Sequence, residues 1–137
     1  MILVDTNVWS ELTRATPDAK VQHWETRHAP QLWLSTIVLG ELFSGAHMLP
    51  EGRRKQGFLE GYEMLIATHA DRIVGFDDIA ARRYGETLAI LEKAGRNPTT
   101  IDAQIAATAL ANNMALATRN VKDFRGLGIQ LINPWED

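Results

Sequence analysis

The run Ile2-Leu3-Val4-Asp5 limits the folds open to this chain more than any other stretch. Three bulky or β-prone apolar residues without polar alternation suit a strand buried on both faces. A strand of that kind belongs to a parallel sheet covered by helices on each side. The chain turns polar at once, so Asp5 stands at the carboxyl end of a central strand, and ligands of open parallel α/β sheets bind at that edge. Asp5 is therefore a candidate for chemistry, and equally a candidate cap for the short helix that starts near Asn7, because Asp is a favoured helix cap.

The rest of the chain repeats the order strand, helix, helix. Val8 to Thr13 and Lys20 to Thr26 carry apolar residues at helical spacing, and Leu32-Trp33-Leu34-Ser35 reads as a second strand with Ser35 or Thr36 capping a helix from Ile37 to about Met48. A helix from Glu51 to about Ile66 follows, then a strand over Arg72–Phe76 and a helix over Ile79–Lys93 capped by Asp77 or Asp78 and stopped by Gly95. Ile101–Ala111 is apolar nearly all round and belongs in the interior. Ala115–Ala117 gives a fourth strand, Thr118–Phe124 a polar helix-initiating stretch, and Gln130–Ile132 a last edge strand. The expected fold is α/β, a three-layer α/β/α arrangement around a mainly parallel sheet of four to five strands, in one domain over residues 1–137.

Two further acids sit where surface acids do not belong. Glu41 shares a helix face with Ile37, Val38, Ser44 and Gly45, and Asp102 lies in the first turn of the interior helix, on a face with Ile105 and Ala106. With right-handed crossovers, Asp5, Glu41, Asp102 and either Asn120 or Asp123 converge on one rim. Unit charges about 5 Å apart at an effective dielectric near 20 repel by roughly 3 kcal/mol per pair. A divalent cation relieves that cost, and oxygen-only ligation suits Mg²⁺ or Mn²⁺ acting on a phosphodiester. The chain has no cysteine, which excludes disulfides, thiolate zinc and a cysteine nucleophile. His23, His28, His47 and His69 show no paired metal spacing, and there is no dinucleotide-binding glycine pattern, phosphate-cradling loop or serine elbow. The formal net charge of −3 argues against a broad polyanion-binding face without excluding nucleic acid, since local charge matters more than the total. Met1 leads directly into the first strand and no apolar run approaches the ~18 residues of a membrane span, so the expectation is a cytoplasmic protein without a membrane partner.

The stretches ILVDTNVWSEL, STIVLGEL around Glu41, TTIDAQIAATAL around Asp102 and ALATRNVKDF together resemble a PIN domain, in particular the VapC-type toxin ribonucleases of type II toxin–antitoxin pairs. The closing INPW is similar to the FitB-like subgroup, and the likeness spans essentially the whole chain. The resemblance implies an Mg²⁺-dependent (or Mn²⁺-dependent) endoribonuclease cleaving single-stranded RNA. It implies Asp5 and Asp102 as the metal ligands, Glu41 completing the acidic pocket, and the hydroxyls of Thr6 and Thr118 supporting the ligands. The fourth acidic position departs from the pattern, because Asn120 follows Thr118-Arg119 where some relatives carry an acid, and Asp123 lies one helical turn on. Homodimerisation and inhibition by a cognate VapB-like antitoxin are further implications.

For RNA contact the sequence offers Arg53, Arg54, Lys55, Arg119, Lys122 and Arg125, of which Arg119 and Lys122 flank the expected site. Trp9, Leu12, Phe43 and Met48 read either as core or as an apolar groove for an antitoxin helix. Two other functions fit parts of the pattern: a receiver-like signalling module, because ILVD and nearby acids also describe a phosphoacceptor site, and an inactive PIN-like module used only for binding.

Overall fold

The computed structural model describes residues 1–137. Five strands, β1 (Ile2–Val4), β2 (Leu32–Ser35), β3 (Ile73–Val74), β4 (Ala115–Ala117) and β5 (Leu131–Ile132), form one sheet in the order β3-β2-β1-β4-β5, with every neighbouring pair parallel. Six helices connect them: α1 (Thr6–Leu12), α2 (Ala19–His28), α3 (Thr36–His47), α4 (Arg53–Thr68), α5 (Asp78–Lys93) and α6 (Thr100–Ala111). α1 packs on α2 and α3, α3 on α4, and α5 along α6. The expected α/β architecture is present, with a sheet that is wholly parallel.

The apolar run at the start of the chain explains the centre of this sheet. Ile2, Leu3 and Val4 are all buried, so both faces of β1 are covered. Trp24, Leu32, Leu34, Ile105, Leu116 and Phe124 close the core around them. α6 is buried along most of its length, as an alanine-rich helix without a polar face must be.

The topology also fixes where a ligand can bind. The chain leaves β1 toward β2 on one side and returns to β4 on the other, and in open α/β sheets the crevice lies at such a reversal, outside the carboxyl ends of the strands. The β1–β4 register pairs Val4 with Ala117, and the ladder continues beyond it as Asp5 N–H donates to the Ala117 carbonyl at 2.9 Å. Asp5 and Thr118 therefore emerge side by side at the rim. The receiver-like alternative is corrected here, because receiver-type sheets are wound 2-1-3-4-5 and this one is not.

Several boundaries differ from the sequence expectation for identifiable reasons. α1 begins at Thr6, because Asp5 caps it through the Thr6 N–H. α4 begins at Arg53 after Gly52. β3 and β5 shrink to two residues each, since an edge strand has a partner on one side only. The polar stretch after β4 forms only a short 3-10 turn over Val121–Phe124. Asp77 caps α5 by accepting from the Ala80 N–H at 2.9 Å, and Gly95 ends it at φ +72°.

Leu3 lies at the middle of the central strand with no exposed surface. Leu3→Ala should lower the unfolding free energy by about 3 kcal/mol, within the 2–5 typical of a large buried aliphatic, as read from the midpoint of a urea titration.

Candidate active site

Asp5 is 4 % exposed, and each carboxylate oxygen has a defined partner. Oδ1 accepts from the Thr6 N–H at 2.8 Å, and Oδ2 accepts from the Thr118 hydroxyl at 2.7 Å and from the Asn7 side-chain amide at 3.3 Å. One oxygen of Asp5 thus caps α1, as one reading of the sequence has it, while the other meets the side chains of Thr118 and Asn7 where β1 and β4 end. Thr118 is fully buried, and its oxygen in turn accepts from the Asn120 N–H at 3.1 Å.

The other acids approach from separate elements. Glu41 is half-buried on α3 and accepts a hydrogen bond from the Thr6 hydroxyl. It lines a cleft with Ile101 and Gln104 of α6. Asp102 is half-buried in the first turn of α6, where its N–H donates to the capping hydroxyl of Thr99 at 3.1 Å. The partial positive charge of that helix end favours an anion there.

Burial, first of all, pushes the Asp5 carboxyl up to about 6 from 3.8; the hydrogen bonds from Thr118 and the Thr6 N–H pull it down, and the charges of Asp102 and Glu41 push it up again. Asp102 is likewise raised, mainly by burial, with Thr99 opposing and Asp123 adding repulsion. The charges of Asp102 and Glu41 thus both bear on Asp5, whereas Asp123 bears on Asp102. Asp123 is exposed and shares a cleft of about 310 Å³ with Asp102, Thr99 and Lys122. Asn120 reaches the cluster through its backbone, with no hydrogen bond from its side chain.

The donors are all oxygen, which fits a hard divalent cation. No three His, Asp or Glu side chains stand together so as to clasp an ion unaided. Mg²⁺ is normally bound by one or two carboxylates together with water and substrate phosphate, so a site built on Asp5 and Asp102 suits its habits.

Asn7 was missed by sequence reasoning, where it served only as a helix start. Its amide donates to Asp5, and its carbonyl oxygen accepts from the Arg119 N–H at 3.2 Å, tying α1 to the segment after β4. The signal available was its place two residues beyond the strand-end acid. Arg96 was missed as well. Its guanidinium donates to the carbonyls of Lys122, Asp123 and Arg125 at 3.3, 2.7 and 2.6 Å, fixing the loop that carries Asp123. Arg119 is exposed, with its guanidinium 4.8 Å from the centre of the Trp135 ring.

Trp9, Leu12, Phe43 and Met48, which read from the sequence either as core or as an apolar groove, do not form one continuous surface. Trp9 is buried edge-on to His69, Phe43 packs against Tyr62, and Met48 is 83 % exposed. The helical spacing is real, but it serves the core in the first case and different neighbours in the others.

Fold and site together define a parallel α/β protein whose central strand ends in a buried carboxylate, with acids of α3 and α6 near enough to push its pKa up. A family model described as PIN domain matches residues 2–128, and the chain belongs to that family. It is 43 % identical over 138 residues to the plasmid stability protein StbB of Pseudomonas syringae pv. tomato, covering 99 % of each chain. It is 41 % identical over 140 residues to the VapC ribonuclease Y4jK of Sinorhizobium fredii, again covering 99 % of each. Among solved structures, a chain of the FitAcB crystal structure from Neisseria gonorrhoeae superposes with a TM-score of 0.92 at 32 % identity, over 100 % of both chains.

The raised Asp5 carboxyl has a consequence for metal-free protein. Titrating near 3.8 unfolded and near 6 folded, Asp5 keeps its extra proton in the folded state between those values. Its contribution is therefore fully present at low pH and is lost as pH rises through about 6, a loss of about 3 kcal/mol at 1.36 kcal/mol per pH unit. In chelator, urea titrations of wild type should show this decline between about pH 4 and pH 7, and Asp5→Asn should flatten it.

Proposed function

We propose that this protein is a divalent-metal-dependent endoribonuclease that cleaves single-stranded RNA and acts as the toxin of a type II toxin–antitoxin pair. The observation that carries the reading is Asp5: a buried carboxylate at the switch point of a parallel sheet, raised toward neutral pH by burial and lying within the field of Asp102 and Glu41. Similarity to a VapC ribonuclease and to a plasmid stability protein over nearly the full length supports it. The preferred ion is Mg²⁺, with Mn²⁺ as substitute. The reading treats residues 1–137 as one functional domain acting in the cytoplasm. It includes homodimerisation and inhibition by a VapB-like antitoxin, and the likeness to the FitAcB complex is consistent with such a partner. No helix is long and apolar enough to cross a membrane.

In this scheme Asp5 and Asp102 hold the ion, and Glu41 with Asp123 shapes the field around it. A cation bound there supplies a water of lowered pKa and offsets charge on the phosphodiester under attack. Thr118 and the Thr6 N–H fix the Asp5 carboxylate in one orientation. The Thr6 hydroxyl holds Glu41 beside the pocket. Asn7 couples this arrangement to Arg119, which with Lys122 offers positive charge to the substrate backbone at the mouth. Asn120 contributes through its N–H to the Thr118 oxygen.

Labelled single-stranded RNA should be cut in Mg²⁺ and spared after addition of chelator. Asp5→Asn and Asp102→Asn should each slow cutting by about 100-fold or more, equivalent to about 3 kcal/mol of transition-state stabilisation. Cleavage that is indifferent to chelator or to both substitutions would sink the assignment, and binding without any cleavage would favour an inactive PIN-like module. Thr118→Val should lose about 10- to 100-fold in metal affinity or rate, the usual effect of removing a partner that orients a metal ligand, and Thr118→Ser should recover most of it.

A further inference from the structure

Beyond the acidic pocket lies a second feature of opposite sign. Two adjoining clefts of about 580 and 650 Å³ share Thr13, Arg14, Arg54 and Phe58, forming one groove between α1 and the first half of α4. Its inner end is lined by Asn7 and Arg119. Asn7 bonds to Asp5 and to the Arg119 backbone, so the inner end of the groove lies one side chain from that buried carboxylate.

Arg14, Arg53, Arg54 and Arg119 all face this groove, in a chain whose formal net charge is −3. The one carboxylate in the lining is Glu11, which is 8 % exposed and accepts from Arg14 and from the Asp18 N–H. Arg53, Arg54 and Arg119 have no carboxylate within ion-pair distance. Such a concentration of unopposed charge calls for a polyanion.

The aromatic residues narrow the choice. The Arg119 guanidinium lies 4.8 Å from the centre of Trp135, and that of Arg54 lies 5.7 Å from the centre of Phe58. Phe58 stacks on Tyr62 at 27° between ring planes. A guanidinium held over a ring offers its outer plane as well as its charge, and unpaired bases stack on such planes and on neighbouring rings. Positive groove with interleaved stacking surfaces is the chemistry of single-strand binding. An acidic peptide would satisfy the charges and leave the planes unused.

We propose that this groove is the track along which a single-stranded RNA leaves the acidic pocket, with Arg119–Trp135 receiving the first base beyond the cut and Arg54–Phe58, Arg14 and Arg53 taking the backbone and bases further on. The proposal rests on the ribonuclease reading and adds to it a direction and a length for the substrate. Arg53 and Arg54 are exposed on the helix surface, so changing them spares the core.

The test uses the full chain and a fluorescein-labelled 15-nucleotide single-stranded RNA of mixed sequence. In chelator, anisotropy titrations of Arg53→Gln/Arg54→Gln should show about tenfold weaker binding than wild type. The dependence of log affinity on log salt should fall by about 1.4, or 0.7 for each lost phosphate contact to a single strand. In Mg²⁺ the KM for the 15-mer should rise by a similar factor, and the penalty should shrink as the RNA is shortened to three nucleotides. Wild-type affinity in the double variant, or an equal penalty at both lengths, would overturn the track while leaving the nuclease assignment intact. An oligoglutamate of equal charge that competes as well as RNA would also overturn it, reducing the groove to a site for acidic peptides. Binding that depends on the two arginines, in a wild-type protein that cuts no RNA in Mg²⁺ or Mn²⁺, would keep the track and defeat the nuclease reading.

Discussion

The structure turns on one buried carboxylate, Asp5, which the sheet brings out of water. Three apolar residues hold β1 at the centre of the sheet, and the next residue inherits that position. A lone carboxylate there would be costly, and the surrounding groups reduce the cost without removing it: Thr118 and the Thr6 N–H stabilise the anion, yet burial still leaves the group titrating near 6. The unbalanced remainder is what an external positive charge can use. Most of the neighbouring sequence makes sense as support for that single side chain. Thr118 is placed beside it by register, Asn7 by the first turn of α1, and Thr6 both donates its N–H to Asp5 and holds Glu41 through its hydroxyl.

Much of this was legible in the sequence because the relevant signals are local. The unbroken run at Ile2–Val4, the all-apolar α6, the cap at Asp77 and the stop at Gly95 are each decided by a few adjacent residues, and the structure follows them. Glu41 and Asp102 stood out because their helical neighbours are apolar, and both are half-buried and near enough to push the Asp5 carboxyl up. What was not legible depends on contacts between distant segments. Arg96 closes on carbonyls 26 to 29 residues away, and Asn7 joins a backbone group 112 residues away. Neither has a pattern that marks it. Lys55 shows the reverse error: in the sequence it stands among the cations offered for RNA contact, but its stem is buried and its ammonium pairs with Glu51 one turn earlier. The 3-10 turn at Val121–Phe124 is soon followed by Gly126 and Gly128 at φ +81° and +78°, a backbone conformation in which a right-handed helix does not continue.

Charge is distributed with a sharp division. Acids gather where the strands end, and arginines gather along α1 and α4, with Asn7 and the Arg119 backbone as the seam between them. In the proposed scheme the acids alone would repel a polyanionic substrate, the arginine-lined flank would supply attraction and a cation would supply neutralisation at the point of reaction. The overall charge of −3 averages over both features, which is why composition by itself does not decide for or against a nucleic-acid partner.

The central claim is that Asp5 and Asp102 jointly bind one divalent ion. Anomalous diffraction from crystals grown with Mn²⁺ measures this directly. The account predicts a peak within direct bonding distance of both carboxylates, close to the ~2.1 Å of Mg²⁺–oxygen bonds, and its loss in Asp5→Asn crystals. A peak that sits elsewhere, touches only one of the two acids, or persists undiminished in the variant would contradict it.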